Sequence, residues 1–197
     1  MNEKQILAKV KQFAIKNSEQ DDIHGFSHVK RVYSMCIKIG KKLDANLFIL
    51  KIAALLHDIG RVDEKSYSHG RNHAEISAFK AKNFLNSDMV ALSQNDIDNI
   101  FHAIRSHSFS NKITPRTLEA KILSDVDKLD AIGAIGIYRT IGYTLRNNGG
   151  IDQVIEHLEN KILKLKKKMF LDYSKTIADK RHEFVLEFYN KIKKEKN

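Results

Sequence analysis

The sequence predicts an all-α protein, because apolar residues recur at helical spacing along almost the whole chain. Helix-breaking residues are scarce, with one proline and nine glycines among 197 residues, and no segment alternates convincingly between apolar and polar residues. The length and the 42% content of hydrophobic residues suit a domain with a sizeable core. We therefore expect one domain over residues 1–197, with its core at about 20–145 and C-terminal helices at about 151–195.

The N-terminal part of the chain is expected to hold three helices. The first covers about residues 3–17, the second starts near Ser27, which is a good N-cap, and the third begins after Asp44. Gly60 fits the glycine that often follows the end of a helix, so we expect the third helix to stop there. Residues 61–72 are polar and lack periodicity, which predicts a loop.

The rest of the chain shows the same helical spacing. A helix is expected at about residues 73–85, Ser93 can cap the next one, and Pro115 suits the first turn of a long apolar helix. This long helix is expected to end near Leu145, with a break at Gly133 or Gly136, and a turn is expected at residues 147–150. Two amphipathic helices follow, one that ends near Phe170 and one that starts at Ser174.

The chain lacks the marks of a secreted or membrane protein. Its one cysteine, Cys36, cannot form an intrachain disulfide, and residues 1–11 lack the apolar run of a signal peptide. The longest apolar stretches are too short to span a bilayer. We therefore expect a cytoplasmic protein without a membrane partner.

The net charge of +10 is concentrated near the C-terminus, where residues 161–168 carry five lysines and residues 191–197 carry four. No RNA-binding motif with interleaved aromatic residues is visible in the sequence. We therefore interpret the lysines as solvated helix faces in preference to a nucleic-acid patch.

His57 and Asp58 end an apolar helical stripe. Leu47, Leu50 and Ala54 recur at a spacing of three or four residues, and the two polar residues continue that face at its last turn. An ionised aspartate that points at a core is costly unless it is paired or bound to a metal ion. Taken alone, the pair fits a hydrogen-bonded core histidine beside a helix-end aspartate as well as it fits a functional site.

Two further segments place polar residues among apolar ones. Asp127 and Asp130 lie within one of the two apolar faces of a helix, and carboxylates inside a mostly buried helix need a cation. A salt bridge to a lysine or arginine is the alternative to a metal ion there. His28 lies beside the apolar stripe of the second helix, where a lone histidine would be an ordinary, partly buried side chain.

Together, His28, His57, Asp58 and Asp127 offer two imidazoles and two carboxylates. That mixed set of nitrogen and oxygen donors suits a divalent transition metal and leaves positions for water. An ion bound there would lower the pKa of a bound water and supply a hydroxide nucleophile near neutral pH. The sequence therefore predicts a metal site with these four ligands, with Mn²⁺ as the first choice and Ni²⁺, Co²⁺, Fe²⁺, Zn²⁺ or Mg²⁺ as alternatives.

The order of the four predicted ligands resembles the H…HD…D signature of HD-domain phosphohydrolases. The flanking segments strengthen this resemblance, and further segments are similar to the bacterial nucleotide pyrophosphohydrolase branch of the superfamily. The segments that carry it are residues 24–32, 53–60, 73–77, 104–110, 125–136 and 181–184. Asn72 departs from the pattern, since many relatives are expected to have a second histidine before His73.

The resemblance covers roughly residues 20–190 and implies an all-helical HD fold. It also implies metal-assisted hydrolysis of a phosphate ester or anhydride. The branch implies a small-molecule nucleotide as the substrate, with a nucleoside triphosphate cleaved to a monophosphate and pyrophosphate.

Other candidate site residues lie near these motifs. We expect His73 and His107 to contact the substrate or the metal ligands. Histidines in this order hold a second ion in two-metal HD enzymes, and that role and a purely structural role are the alternatives. Five basic residues near the motifs could bind phosphate oxygens or be solvated: Arg31, Arg61, Arg71, Arg105 and Lys128. Of these, Arg105 and Lys128 are the preferred candidates. The candidate catalytic residues are Asp58, as a metal ligand, and Asp130, Asp125 or Glu75 as the proton acceptor, among which the sequence does not choose.

Three alternative functions stay open. A nucleotide phosphomonoesterase or phosphodiesterase would keep the fold and break another bond. A di-iron oxygenase would need His73 and His107 as ligands of a second metal. A nucleic-acid-binding module would use the lysines of residues 161–168, but the complete set of metal ligands argues against it. The sequence does not indicate an oligomeric state.

Overall fold

The computed structural model of the protein describes residues 2–64, 72–87 and 92–196. Within these ranges the regular elements are α-helices and short 3₁₀ segments, and no strand occurs among them. The all-α prediction is therefore confirmed. The chain divides into two compact units, which we call the N-terminal unit, up to Ser124, and the C-terminal unit, from Asp125 onward.

Helices α1 (Glu3–Lys16) and α2 (Phe26–Lys42) open the N-terminal unit. The first begins and ends close to the predicted bounds. The second begins one residue before the predicted cap, with Gly25 as its N-cap in place of Ser27. The reason lies in the preceding turn, where the Asp21 carboxylate accepts hydrogen bonds from three successive backbone N–H groups, the last of them that of Gly25. A Cβ atom on Gly25 would lie 2.1 Å from the Asp21 carbonyl oxygen, so the turn requires glycine.

Helix α3 (Leu47–Leu56) is the central helix of the N-terminal unit. It packs against α1, α2, and the helices α5 (His73–Leu85) and α6 (Gln94–His107). Contacts on several sides explain why seven of its ten residues are buried. The helix stops four residues before Gly60, and a short helix, α4 (Arg61–Glu64), follows the intervening turn. The loop predicted from residue 61 is therefore wrong over these four residues, and residues 65–71 lie outside the described ranges.

Helices α5 and α6 begin where the sequence predicts. The side-chain oxygen of Asn72 accepts a hydrogen bond from the Ala74 N–H, and that of Ser93 accepts one from the Asp96 N–H. Local capping thus determines both helix starts. Asn72, at the position where many relatives are expected to have a histidine, is the N-cap of α5.

Helix α7 (Leu118–Asp130) spans the boundary between the two units. Pro115 precedes it by three residues, so the prediction of a first-turn proline is wrong. The Thr117 hydroxyl accepts the Ala120 N–H and caps the helix instead. Helix α7 ends at Asp130, and Gly133 before the next helix has a positive φ of 83°, which favours glycine. The break was predicted at Gly133 or Gly136, and it lies at Gly133.

The C-terminal unit continues with α8 (Ala134–Arg146), α9 (Ile151–Asn160), a 3₁₀ segment (Ile162–Lys168) and α10 (Asp172–Lys196). Helix α10 packs on α8, α9 and the 3₁₀ segment. Ile162 and Leu165 are buried, whereas Lys164, Lys167 and Lys168 are exposed, as expected for a solvated basic face. None of the described helices is both long and apolar enough to cross a bilayer.

Candidate metal centre

Four helix ends of the N-terminal unit bring five polar side chains into its core. His28 lies in the first turn of α2, His57 and Asp58 directly follow α3, His73 is the first residue of α5, and His107 is the last of α6. All five are buried, and His28 and His57 have no exposed surface. These helices pack on one another in pairs, so their ends meet although the residues are far apart in sequence.

One oxygen of Asp58 faces two histidines. Its Oδ2 atom lies 3.6 Å from Nε2 of His28 and 3.6 Å from Nε2 of His57, and the two Nε2 atoms are 3.2 Å apart. Donor atoms that share one ion at about 2.1 Å, with angles between right and tetrahedral, are separated by about 3.0–3.4 Å. The separation of the two Nε2 atoms falls in this range and the two separations from Oδ2 are about 0.2 Å longer than its upper limit, so the three atoms form a group that could hold a single ion.

The other oxygen of Asp58 faces two further histidines. Its Oδ1 atom lies 3.6 Å from Nε2 of His73 and 3.5 Å from Nε2 of His107. All three atoms are buried, and no hydrogen-bond partner for them exists among the described residues. Asp58, His73 and His107 thus form a second group whose donor atoms could hold an ion. The sequence allowed this arrangement as the alternative to substrate contact.

Backbone carbonyl oxygens hold the Nδ1 atoms of two of the four histidines, His57 and His107. Nδ1 of His57 lies 2.8 Å from the Ala54 carbonyl oxygen, and Nδ1 of His107 lies 2.6 Å from the Ile104 carbonyl oxygen. A carbonyl oxygen only accepts, so Nδ1 carries a proton in both rings and Nε2 is the nitrogen that faces Asp58. In this orientation an unprotonated Nε2 atom can bind a cation beside the Asp58 carboxylate, so the donor set fits a divalent ion.

Charges around Asp58 keep it ionised. Burial raises its pKa, but the positive charge of Arg61, together with the nearby His57, His107 and His73, holds the pKa well below its usual range. The Nε atom of Arg61 lies 2.6 Å from Oδ2 of Asp58. An ionised, buried carboxylate is the form that a metal ion needs as a ligand.

His73 is held by a carboxylate at the end of α4. Glu64 Oε1 accepts the backbone N–H of His73 at 3.1 Å and lies 3.4 Å from its Nδ1 atom. Burial and the charge of Arg61 lower the pKa of His73, which favours the neutral ring. The hydrogen bond from His73 lowers the pKa of Glu64. Sequence reasoning missed Glu64, because no local pattern connects it to a histidine nine residues later.

Glu75 and Arg105, predicted as a proton acceptor and a phosphate-binding residue, contact each other. Arg105 Nε donates to Glu75 Oε2 at 2.6 Å, and the Asn111 side-chain amide donates to the same oxygen at 3.4 Å. Glu75 is therefore paired with the Arg105 guanidinium. The two predicted roles stay predictions.

The remaining predicted residues lie in the C-terminal unit, on the last turns of α7. Arg139 donates to Asp130 at 2.9 Å, and the ammonium of Lys128 lies 5.5 Å from the ring of Phe170. Burial lowers the pKa of Lys128, against the opposing charges of neighbouring aspartates. Asp127 is half-buried, and its role as the fourth ligand stays a prediction.

Asp125, the third candidate base, has a structural role. Its two carboxylate oxygens accept the backbone N–H groups of Phe170 at 2.8 Å and Leu171 at 2.9 Å. Burial raises its pKa, while these hydrogen bonds oppose that shift. Asp125 thus fixes the chain that leads into α10, which the sequence pattern around it did not indicate.

The fold and the histidine–aspartate cluster define the class of the protein. The chain matches the HD domain family over residues 25–132, more than half of its length, and therefore belongs to that family. The solved structures similar to it include a protein described as an HD-superfamily hydrolase from Bacillus thuringiensis, with a TM-score of 0.74, 27% identity, and 98% of each chain covered. The chain is thus a metal-dependent hydrolase of the HD superfamily.

Particular relatives are similar over nearly the whole chain. The uncharacterized protein YpgQ of Bacillus subtilis (strain 168) is 29% identical over 189 residues, which cover 90% of this chain and 87% of YpgQ. The crystal structure of YpgQ in complex with ADP matches with a TM-score of 0.76 and 29% identity, covering 99% of this chain and 97% of that one. A structure from Lactobacillus plantarum matches with a TM-score of 0.81 and 28% identity, covering 99% and 98%.

Proposed function

We propose that the protein hydrolyses (deoxy)nucleoside triphosphates to a monophosphate and pyrophosphate, with a divalent ion held by His28, His57, Asp58 and Asp127. The observation that carries the proposal is the buried carboxylate of Asp58, whose two oxygens face the Nε2 atoms of four histidines. The complex of the similar protein YpgQ with ADP supports a nucleotide as the substrate. The resemblance to the pyrophosphohydrolase branch supports the bond that is cleaved.

Asp127 enters the ligand set on sequence grounds. It completes the ordered signature of the family after His28, His57 and Asp58. Imidazole and carboxylate donors without a thiolate suit several divalent transition metals, among which we propose Mn²⁺ as the ion to test first.

The contacts of the site residues suggest separate roles in metal binding, phosphate binding and proton transfer. A divalent ion held by these residues would supply an activated water and polarise a phosphoryl oxygen. His57 and His107 keep fixed ring orientations, because backbone carbonyls hold their Nδ1 atoms. Arg105 and Lys128 would neutralise the phosphates that leave as pyrophosphate. Glu75 or Asp130 would accept the proton, after release from Arg105 or Arg139.

Product analysis tests the bond that is cleaved. Incubation with Mn²⁺ and each common nucleoside or deoxynucleoside triphosphate should release pyrophosphate and a monophosphate in equal amounts, because pyrophosphate is a good leaving group when cations bind its oxygens. The products are resolved by ion-exchange chromatography. The control is the same protein treated with a chelator and then resupplied with Mn²⁺. Release of orthophosphate alone, with a nucleoside or diphosphate as the partner product, would support a phosphomonoesterase or phosphatase instead.

A second ion is the assignment that the geometry of His73 and His107 favours over substrate contact. Their unpartnered Nε2 atoms and the Oδ1 atom of Asp58 form a second buried donor group, and these three residues would hold a second ion. We expect two Mn²⁺ per chain at saturation and one in His107→Ala, as measured by elemental analysis after gel filtration. One ion in both proteins, with a raised KM in the variant, would return these histidines to a substrate-binding role.

A further inference from the structure

Arg61 contacts the predicted metal site from the first residue of α4. Its Nε atom donates to Oδ2 of Asp58 at 2.6 Å, and its side chain is 19% exposed while that of Asp58 is 1% exposed. The backbone N–H of Arg61 also donates to the Asp58 carbonyl oxygen at 3.1 Å. The backbone of Arg61 is thus tied to the site, whereas its side chain reaches from solvent into it.

The guanidinium and the proposed ion use the same oxygen. Oδ2 is the Asp58 oxygen that faces both His28 and His57, each at 3.6 Å. A guanidinium nitrogen at hydrogen-bond distance and a divalent ion at about 2.1 Å from one oxygen would place two cations within roughly 4–5 Å. In a buried site their repulsion is weakly screened, so the two cations bind this oxygen in competition.

We propose that Arg61 is a counter-cation that the divalent ion displaces from Asp58, and that its guanidinium then binds a phosphate of the substrate. The proposal rests on the proposed function for the identity of that phosphate. Arg61 suits both positions, because a planar guanidinium pairs equally with a carboxylate and with phosphate oxygens. A long side chain on a fixed backbone can exchange one partner for the other without moving α4. Metal loading and phosphate capture are thereby coupled.

Competition makes a prediction of definite sign. In Arg61→Gln, removal of the competing charge should tighten the binding of Mn²⁺ alone, on the order of tenfold, a typical size for coupling between two binding events. The KM for the nucleoside triphosphate should rise, because one phosphate partner is lost. Arg61→Lys keeps the charge and should retain an Mn²⁺ affinity close to that of the wild type. Isothermal titration calorimetry on the full chain, without nucleotide, measures the affinities.

Lys82→Gln is the matched control for net charge. Lys82 pairs with Asp98 at 3.0 Å, away from Asp58, so its loss should leave Mn²⁺ affinity unchanged. Weaker or unchanged Mn²⁺ binding in Arg61→Gln, with folding verified by circular dichroism, would overturn the competition. Tighter Mn²⁺ binding in Arg61→Gln without a rise in KM would overturn the proposal that Arg61 binds a phosphate of the substrate. If the wild type hydrolyses no nucleoside triphosphate while Arg61→Gln still tightens Mn²⁺ binding, the competition stands and the proposed function fails.

Discussion

Asp58→Ala is expected to remove bound metal and to lower hydrolysis by on the order of a hundredfold or more. Even loss of an outer partner of a metal ligand costs about 10–100-fold in affinity or activity, and Asp58 supplies both of its oxygens to the cluster. Removal of the only carboxylate among four histidines also removes the negative charge that offsets a dication in the N-terminal unit's described donor set. The measurement is elemental analysis of the purified variant, followed by turnover with Mn²⁺.

Two controls make the Asp58 result specific. Asp63→Asn changes another aspartate in the same region, one that pairs with Lys80 at 2.6 Å, and should keep its metal. Asp127→Ala tests the ligand that rests on sequence order, and it should also lose metal while remaining folded. Metal content equal to the wild type in Asp58→Ala would refute the assignment of the site, and the same outcome in Asp127→Ala would remove that residue from it.

Gly60→Ala is expected to lower the free energy of unfolding by about 1–3 kcal/mol, the usual effect of overpacking a filled core. A Cβ atom at Gly60 would lie 2.6 Å from the Ser77 backbone N and 2.8 Å from the His73 carbonyl oxygen. Both are backbone atoms of α5, which must therefore move. The Gly60 N–H also donates to the Ser77 hydroxyl at 2.8 Å. The shift would carry His73 away from Asp58, so metal binding should weaken as well.

Gly150→Ala is the matched control for the glycine substitution. A Cβ atom there would meet only the Gln153 side-chain oxygen, at 3.7 Å, which is an ordinary contact. Urea unfolding of both variants should therefore separate a large effect at Gly60 from a small one at Gly150. Equal midpoints for Gly60→Ala and the wild type would contradict the close approach of α5 to this turn.

The role of Gly60 illustrates where sequence reasoning succeeded and failed. Glycine after an apolar stripe predicted the end of a helix, yet α3 ends at Leu56 and Gly60 instead admits the backbone of α5. By contrast, the start of α6 after Ser93 was predicted correctly, because a capping hydrogen bond involves only neighbouring residues. Pro115 and Ser27 did not mark helix starts, because the Thr117 hydroxyl caps α7 and the turn held by Asp21 leads into α2.

Some features of the candidate site could also be predicted from the sequence, and others could not. The type of its donors was predictable, because His57 and Asp58 end an apolar stripe that had to be buried. The distance of 3.5 Å between His107 and Asp58 was not predictable, since it depends on how helices far apart in sequence pack, and the role of His107 stays a proposal. Arg61 lies three residues after Asp58, but that spacing alone does not distinguish a counter-cation from a solvated arginine.

The amino-acid sequence by itself determined the helical character of the chain, the faces that are buried and the kinds of metal ligands within them. These properties follow from side-chain chemistry and from a helical period that relates residues three or four positions apart. The packing of α2, α3, α5 and α6 decided which histidine faces which oxygen of Asp58, and that Arg61 shares one of them. Contacts of this kind join residues tens of positions apart, and the free energy that selects them comes from burial of the whole core.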